Sequence, residues 1–257
     1  MAEILLTNDD GVHSAGITSL ADTLASTGHV TTVAPDREMS ASSQSLTLIR
    51  PIRYDKIGPD RYSVEGTPTD CVIMALNYIL PQRPDLVISG INKGPNLGHD
   101  IAYSGTVAGA MEAARHGVQA VAISLATRNT FAFEDAAQFV TTLAQRLLKQ
   151  SLPEGFILNV NIPVGRWKGV RVTRQGSFQA RNLIVKNQDP RGRKYFWLDQ
   201  EPESRTLPNN CDSDHLAIRS NCISLTPLKL DQTAFEMTSE LSSWAEEFSA
   251  EGMSINQ

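Results

Sequence analysis

The chain has 257 residues, 41% of them hydrophobic and 20% charged, with a formal net charge of −5 and a pI near 5.6. These values favour a globular protein over a disordered chain and make a nucleic-acid polymer a poor candidate partner. No stretch approaches the roughly 18 apolar residues of a membrane helix, and no signal peptide is recognisable. Three cysteines without a C-x-x-C pair argue against a disulfide framework or a zinc site, so we expect a reducing cytoplasm.

Strand-like and helix-like segments alternate in the first half of the chain. Thr67-Pro68-Thr69-Asp70 is a helix start with Thr67 as the N-cap, and Gly28 is interpreted as the stop of the first helix. Continuous apolar strands between helices indicate an α/β fold with a mainly parallel sheet that is covered on both faces. Strands are predicted over 3–7, 30–33, 86–89 and 120–125, and helices over 17–24, 67–79, 106–116 and 134–148.

The pattern changes after Leu152. Strands are predicted over 156–161, 170–173 and 223–225, and a terminal helix over 239–248. Between them, 177–214 is an irregular, charged, turn-rich excursion. Because no linker divides the chain, we expect one domain, 1–257, with a core (1–170), a protruding hairpin-like excursion (171–220) and a closing strand and helix (221–257).

Two adjacent acids follow the first predicted strand directly. Asp9 and Asp10 repel each other, and a divalent cation with oxygen ligands would compensate that repulsion. Ligand sites in parallel sheets lie at the carboxyl ends of strands, which favours this interpretation. The alternative is that either aspartate merely caps a helix or holds a turn.

Three further loops carry polar groups suited to a metal or a phosphate. Ser40 and Ser43 follow the second strand, and Asn92 and Asn96 lie in the glycine-rich loop placed after the third. Ser104-Gly105-Thr106 begins a helix, whose N-terminal amides bind anions well. A flexible polar loop, ordinary turn chemistry and helix capping remain the alternatives for the three loops.

Taken together, these loops make the sequence recognisable. It resembles the SurE family, the survival protein E phosphatases that act as nucleoside 5′-monophosphatases. The resemblance implies a Rossmann-like three-layer core, a β-rich C-terminal excursion, and a terminal helix used in oligomerisation as a homodimer or homotetramer. It also implies one Mg²⁺ or Mn²⁺ per subunit, and 3′-nucleotidase and exopolyphosphatase activity. The matching stretches include ILLTNDDGVHSAGI, VAPDREMSASSQSLT, GTPTDCV, SGINKGPNLGHDIAYSGTVAGAMEA, VTRQG, NQDPRG and ISLTPLKLDQTA.

The resemblance assigns site residues by position. Two departures accompany it: Ala41 stands where the family usually has Gly beside the metal-binding serine, and Phe235 where many members have His. The first predicts an altered loop path beside Ser40, and the second the loss of any ion pair made by that histidine. The implied metal ligands are Asp9, Asp10, Ser40 and Asn92, and the implied phosphate contacts are Asn96, Ser104, Gly105 and Thr106, with Ser43 nearby.

The hypothesis that follows is a metal-dependent phosphomonoesterase that releases phosphate from nucleoside 5′-monophosphates by metal-activated water, with Asp9 and Asp10 as the catalytic, metal-holding carboxylates. A phospho-aspartate is the alternative mechanism. A nucleotide-binding regulatory module without catalysis is the alternative function, although an anion binder gains nothing from two adjacent carboxylates. An RNA-associated role is disfavoured by the acidic charge.

Three histidines and the charged excursion are further candidates for a role in the function. His13, His99 and His116 are candidate proton donors by type, but loop or capping roles suit them better, so no general acid is assigned. The basic block 171–194 and the acidic block 195–215 are expected to pair in a hairpin or across a symmetric interface, anchored by the aromatic run 195–197.

Overall fold

The computed structural model describes residues 1–127, 129, 131–177, 182–200 and 212–250. Within them, the α-helices are Ala15–Leu24 (α1), Pro68–Met74 (α2), Gly105–Arg115 (α3), Glu134–Lys149 (α4), Asp214–Arg219 (α5) and Thr238–Ala250 (α6). A π-helical turn, Ala75–Ile79, continues α2. The strands are Ala2–Thr7 (β1), Gly28–Pro35 (β2), Tyr54–Gly58 (β3), Arg61–Val64 (β4), Leu86–Lys93 (β5), Ala120–Ala126 (β6), Phe156–Pro163 (β7), Val170–Val172 (β8), Asn182–Gln188 (β9), Lys194–Gln200 (β10) and Ile223–Lys229 (β11).

The main sheet is mostly parallel. Its nine strands run in the order β3-β4-β2-β1-β5-β6-β7-β11-β8, and the five neighbouring pairs from β4 to β7 are all parallel. β3 pairs antiparallel with β4 at one edge, and β11 pairs antiparallel with β7 near the other. The predicted α/β fold with a mainly parallel sheet is confirmed.

Helices cover both faces of this sheet and make three layers. On one face, α1 and α4 bury Ile17, Leu20 and Val140 against the strands. On the other face, α2 and α3 bury Val72 and Val107. Because both faces of the sheet are buried, the sequences of the central strands are continuous apolar runs and do not alternate between apolar and polar residues.

The strand order places a crevice beside β1. The chain passes from β1 outward to β2, and later returns to form β5 on the other side of β1. At such a reversal, the loops that follow the two neighbouring strands run in opposite directions. Ligands bind in the crevice that opens between these loops, at the carboxyl ends of the strands. The loops after β1, β2 and β5 therefore face one another.

The capping box at Thr67 is confirmed. The Thr67 hydroxyl accepts a hydrogen bond from the Asp70 amide at 3.1 Å, and the Asp70 carboxylate accepts one from the Thr67 amide at 2.8 Å. These two bonds satisfy amides that the helix itself leaves free. Pro68 stands at the first helical position, where its missing N–H costs nothing.

Two sequence boundaries were wrong. Gly28 does not stop α1, which ends at Leu24; it is the first residue of β2, where a Cβ would lie 2.4 Å from the Ala2 carbonyl oxygen. The third core strand does not end at Ser89 but continues to Lys93 through a shift in register between Ser89 and Asn92. Glycine at 90 suggested a loop, whereas pairing with β6 keeps the segment in the sheet.

The excursion is more regular than expected. β9 and β10 pair antiparallel, so the hairpin is confirmed, but Lys186 faces Phe196 and Lys194 faces Gln188. The two strands are thus not held by opposed charges. Within the described part of the excursion, the ion pair that joins the basic and acidic blocks is Arg174 with Asp212, at 2.7 Å. Arg181, Glu201, Glu203 and Arg205 lie outside the described residues.

The C-terminal elements follow the prediction closely. β11 extends the strand predicted at 223–225 to Lys229, and α6 contains the whole predicted helix 239–248. Across the residues that the structure describes, no helix is both long and apolar enough to cross a membrane.

Candidate functional site

The two adjacent aspartates lie at the carboxyl end of β1, in the crevice beside it. Asp9 is almost enclosed, at 5% exposure, and its Oδ1 accepts a hydrogen bond from the Thr106 hydroxyl. The Oδ2 of Asp10 accepts a bond from the Lys93 amide at 3.0 Å, and the Lys93 ammonium lies 4.0 Å from Oδ1. Each carboxylate is thus held by a different neighbouring element, Asp9 by α3 and Asp10 by β5.

Burial makes the negative charges of Asp9 and Asp10 unfavourable, and neighbouring hydrogen-bond donors offset only part of this effect. It raises the pKa of Asp9 to about 6, and the charge of Asp10 adds to the rise, while the Thr106 hydrogen bond opposes it. Burial also raises the pKa of Asp10, with Glu38 adding to the effect and Lys93 opposing it. A site that favours protonated carboxyls in this way also favours a bound cation.

The loop after β2 packs directly on the aspartates. The Met39 amide donates to the Asp9 carbonyl at 2.7 Å, which brings Ser40 beside the pair. The exposed Ser40 hydroxyl donates to the Glu38 carboxylate at 2.7 Å. Glu38, which the sequence analysis did not select, is thus a further acidic group at the rim.

Ala41 adopts a backbone conformation that favours glycine. Its φ is +56°, in the left-handed region that L-residues seldom occupy. The replacement of the family's usual glycine therefore places a Cβ on a left-handed turn. The altered path of the loop beside Ser40, relative to family members with glycine at this position, stays a prediction.

The N-terminus of α3 forms the third wall of the site. Ser104 is the N-cap, and its hydroxyl accepts a bond from the Val107 amide at 3.1 Å. Ser43 ties the β2 loop to this turn, because its hydroxyl donates to the Ala102 carbonyl at 2.8 Å and its amide to the Tyr103 carbonyl at 3.0 Å. The structure thus brings Ser43 and Ser104 together with Asp9.

Gly105 makes this close approach possible. A Cβ at position 105 would lie 2.8 Å from the Asp9 Cβ and 2.6 Å from the Ser42 hydroxyl, distances that side chains do not adopt. Only a residue without a side chain lets the helix amides stand directly over the carboxylate. The absence of a side chain at Gly105 therefore lets the start of α3 pack closely against Asp9.

The two asparagines of the β5 segment have different environments. Asn92 lies within β5, and its amide nitrogen donates to the Gly94 carbonyl at 2.9 Å. Asn96 is buried: its backbone amide donates to Asn161 at 2.8 Å, and its side-chain nitrogen donates to the Ser124 hydroxyl at 2.7 Å. Asn92 is thus close to the aspartates through Lys93, whereas the Asn96 side-chain nitrogen is committed to the sheet.

A buried anchor from the far end of the chain also holds this segment. The fully buried Asp214 accepts bonds from the Gly98 amide at 2.8 Å and the Gly176 amide at 3.0 Å. The sequence analysis counted Asp214 among the acids of the charged excursion, which was wrong about its environment. The position of Asp214 after Ser213 indicates a helix start, but nothing in the local sequence indicates a partner 116 residues away.

The donor set at the site consists of hard oxygens. Among the described residues, no group of three or more His, Cys, Asp or Glu side chains is placed to hold a metal ion. Two carboxylates with neutral serine and amide oxygens are instead the ligand types that Mg²⁺ and Mn²⁺ accept. His13 and His99 are exposed, and His116 contacts Glu112 at 3.1 Å at the end of α3, as its expected capping place suggested.

Fold and site together define a Rossmann-like α/β protein whose acidic crevice adjoins a helix N-terminus. The chain belongs to the survival protein SurE family, whose model matches residues 4–182. It is 46% identical over 255 residues to the 5′-nucleotidase SurE of Syntrophotalea carbinolica, covering 96% of this chain and 98% of that one. It is 44% identical to the 5′-nucleotidase SurE of Coxiella burnetii, covering 94% of each chain.

A solved structure is similar over nearly the whole chain. The crystal structure of the SurE protein from Aquifex aeolicus superposes with a TM-score of 0.84 at 40% identity. The match covers 95% of this chain and 99% of that one. The Rossmann-like architecture expected from the resemblance is thereby confirmed.

Proposed function

We propose that this protein hydrolyses nucleoside 5′-monophosphates to nucleosides and phosphate. The similar proteins of Syntrophotalea carbinolica and Coxiella burnetii carry the name 5′-nucleotidase, which supports the substrate class. The single observation that carries the proposal is the contact between buried Asp9, one of the two adjacent carboxylates, and the N-terminus of α3. A phosphate ester needs such a combination of cation and anion sites.

In this proposal, Asp9, Asp10, Ser40 and Asn92 hold one Mg²⁺ or Mn²⁺. The carboxylates fit the ion because burial disfavours their charge in its absence. Asn92 fits because its nitrogen donates to Gly94, which leaves its carbonyl oxygen as the ligand atom. The bound cation would neutralise phosphoryl oxygens and lower the pKa of a coordinated water, which supplies the nucleophile.

The phosphate would lie at the first turn of α3. The amides of Gly105 and Thr106 belong to the turn whose N–H groups have no intrahelical partner, and such groups bind anions. The Thr106 amide already bonds to the Asp9 carboxylate. The Ser104 oxygen accepts the Val107 amide bond, so its hydroxyl proton is free to be donated to a phosphoryl oxygen. Ser43 holds this turn in position. Asn96 bonds to Ser124 of β6 through its side-chain nitrogen and is assigned a phosphate contact by resemblance only.

Lys93 is an addition to the proposed site. Its ammonium is the cationic group nearest Asp10, at 4.0 Å, and its side chain is partly exposed at the rim. From there it can offset charge on an incoming phosphate as well as on the carboxylate.

A binding module without catalysis is the second candidate. It would use the same amides of α3 for phosphate but has no need for two buried acids next to an anion. The hydrogen bond from the Thr106 hydroxyl to Asp9 places a carboxylate directly beside the proposed phosphate site, and this arrangement favours hydrolysis. A phospho-aspartate would need one carboxylate oxygen that is free to attack phosphorus, whereas the proposal uses both carboxylates as metal ligands.

The test is phosphate release from a panel of nucleoside monophosphates with Mg²⁺ or Mn²⁺, with and without chelator. We expect release that chelation abolishes and that added Mg²⁺ or Mn²⁺ restores, because the carboxylates cannot approach a phosphate uncompensated. Release that persists in chelator would contradict the metal proposal. Tight nucleotide binding with no release under any condition would select the binding module.

We propose that the exposed hairpin and terminal helix mediate self-association. Trp197 and Leu198 on β10 are 63% and 82% exposed, and Trp244 on α6 is 46% exposed. Apolar surface of this size on elements that protrude from the core is typical of subunit contacts.

Light scattering after size-exclusion chromatography tests this contact. We expect wild type to elute as a dimer or tetramer, and Trp197→Lys combined with Trp244→Glu to shift it toward monomer, since charge is costly in a buried interface. Ile49→Asp, at another fully exposed apolar position, is the control and should change nothing. A monomeric wild type at micromolar concentration would contradict the proposal.

A further inference from the structure

A cavity of about 500 Å³ opens beside α3, next to the proposed phosphate site. Its walls include Ser43 and Ser104, the two serines that join the β2 loop to the start of α3. The volume lies in the range of pockets that enclose small organic ligands. A group attached to a phosphate at the first turn of α3 would therefore extend into this cavity.

The inner wall of the cavity is apolar. Val107, Ala108 and Met111 present one face of α3, with the spacing of successive helical turns, and Leu228 lies on β11. Met111 and Leu228 are each 8% exposed, so the cavity reaches side chains of the core. Such a surface suits a flat ring better than a charged or strongly hydrated group.

Besides the hydroxyls of Ser43 and Ser104 and the ammonium of Lys229, the polar groups at the cavity are carboxamides. Gln44 is fixed, because its oxygen accepts a bond from Arg115 at 2.9 Å. The Gln175 nitrogen donates to the Gly98 carbonyl at 2.8 Å, which leaves its oxygen to accept an N–H from a ligand. Gln232 is exposed at the mouth and offers both a donor and an acceptor.

No carboxylate lines this cavity among the described residues, and its one charged lining residue is Lys229. An uncharged heterocycle with N–H donors and ring acceptors matches a wall of aliphatic side chains edged by carboxamides. A sugar would place hydroxyls against the aliphatic wall, where they would find no partner, and an acyl chain would leave the carboxamides without a ligand partner.

We infer that this cavity binds the nucleobase of the substrate, with the ring against Met111 and Leu228 and its polar edge toward Gln175 and Gln232. The inference rests on the proposed function, because it takes the phosphate to lie at Ser104 and Thr106. The cavity would then be the part of the protein that distinguishes nucleotides from other phosphate esters.

The experiment compares adenosine 5′-monophosphate with ribose 5-phosphate, which has the same ester but no base. Ala102→Trp adds an indole at an exposed cavity residue, and Ala102→Ser is the matched control. For Ala102→Trp we expect kcat/KM for adenosine 5′-monophosphate to fall at least about tenfold, with ribose 5-phosphate unchanged within about twofold. Gln232→Trp, at the mouth, should show the same split and serves if Ala102→Trp does not fold.

The outcomes separate this inference from the proposed function. Equal losses for both substrates, or no loss for either, would overturn the base pocket while leaving the nucleotidase intact. So would a wild type that cleaves ribose 5-phosphate as efficiently as the nucleotide. A wild type that cleaves neither would defeat the proposed function, and the base pocket with it.

Discussion

Replacing Asp10 by Asn is expected to lower kcat by about 10²- to 10³-fold, the usual effect of removing one group that stabilises developing charge. The amide oxygen can still accept the Lys93 bond, so the loop should keep its place. Thermal stability without metal should be equal or higher, because burial raises the pKa of the Asp10 carboxyl and its charge is therefore unfavourable in the fold. Steady-state phosphate release and thermal unfolding measure the two effects.

Asp55→Asn is the matched control for this variant. Asp55 is an exposed acid on β3, at the edge of the sheet, so its replacement makes the same change in net charge. It should retain full activity. Near-normal turnover by Asp10→Asn at saturating metal would show that the second carboxylate is dispensable, and the proposed ligand set would be wrong.

Replacing Gly105 by Ala is expected to lower kcat/KM by about 100-fold or more, the cost of moving a reacting group by about an ångström. The new methyl would meet the Asp9 Cβ at 2.8 Å, and neither the start of α3 nor the end of β1 can yield without displacing the other. The Ser42 hydroxyl, 2.6 Å away, can rotate, so the steric load falls on Asp9. Kinetics with a nucleoside monophosphate and binding of Mn²⁺ both report on the displacement.

The stability of Gly105→Ala should change less than its activity. Overpacking costs about 1–3 kcal/mol, and the better helix propensity of Ala returns up to about 1 kcal/mol. Gly169→Ala is the control, since no atom lies within 4 Å of the added methyl. A Gly105→Ala enzyme with wild-type kcat/KM would mean that the α3 turn and Asp9 do not act together.

Most of the fold was predictable because the central strands and their helices carry strong local patterns. The capping box at Thr67 was read from four consecutive residues and is confirmed atom by atom. Gly28 and Gly90 misled the analysis, since a glycine ends a helix or breaks a strand in most contexts. At both positions, contact between neighbouring strands decides the structure, and that contact is not written in the local sequence.

In the candidate site too, some features were predictable from the sequence and others depend on contacts between distant parts of the chain. The proximity of Asp9 to Ser104-Gly105-Thr106 followed from the rule that strand ends converge, and the structure places them in contact. Whether they bind a metal and a phosphate stays a prediction. The support from Asp214 and the burial of the Asn96 side chain were missed, because their partners lie 116 and 28 residues away in the sequence. Sequence spacing indicates which loops meet, not which side-chain atoms remain available.

The most direct measurement is a crystal structure of the protein soaked with Mn²⁺, using the anomalous signal of the ion. The account predicts one manganese peak within coordination distance of both Asp9 and Asp10, with the Asn92 oxygen beside it. Manganese bound elsewhere, with both aspartates turned toward bulk solvent, would contradict it.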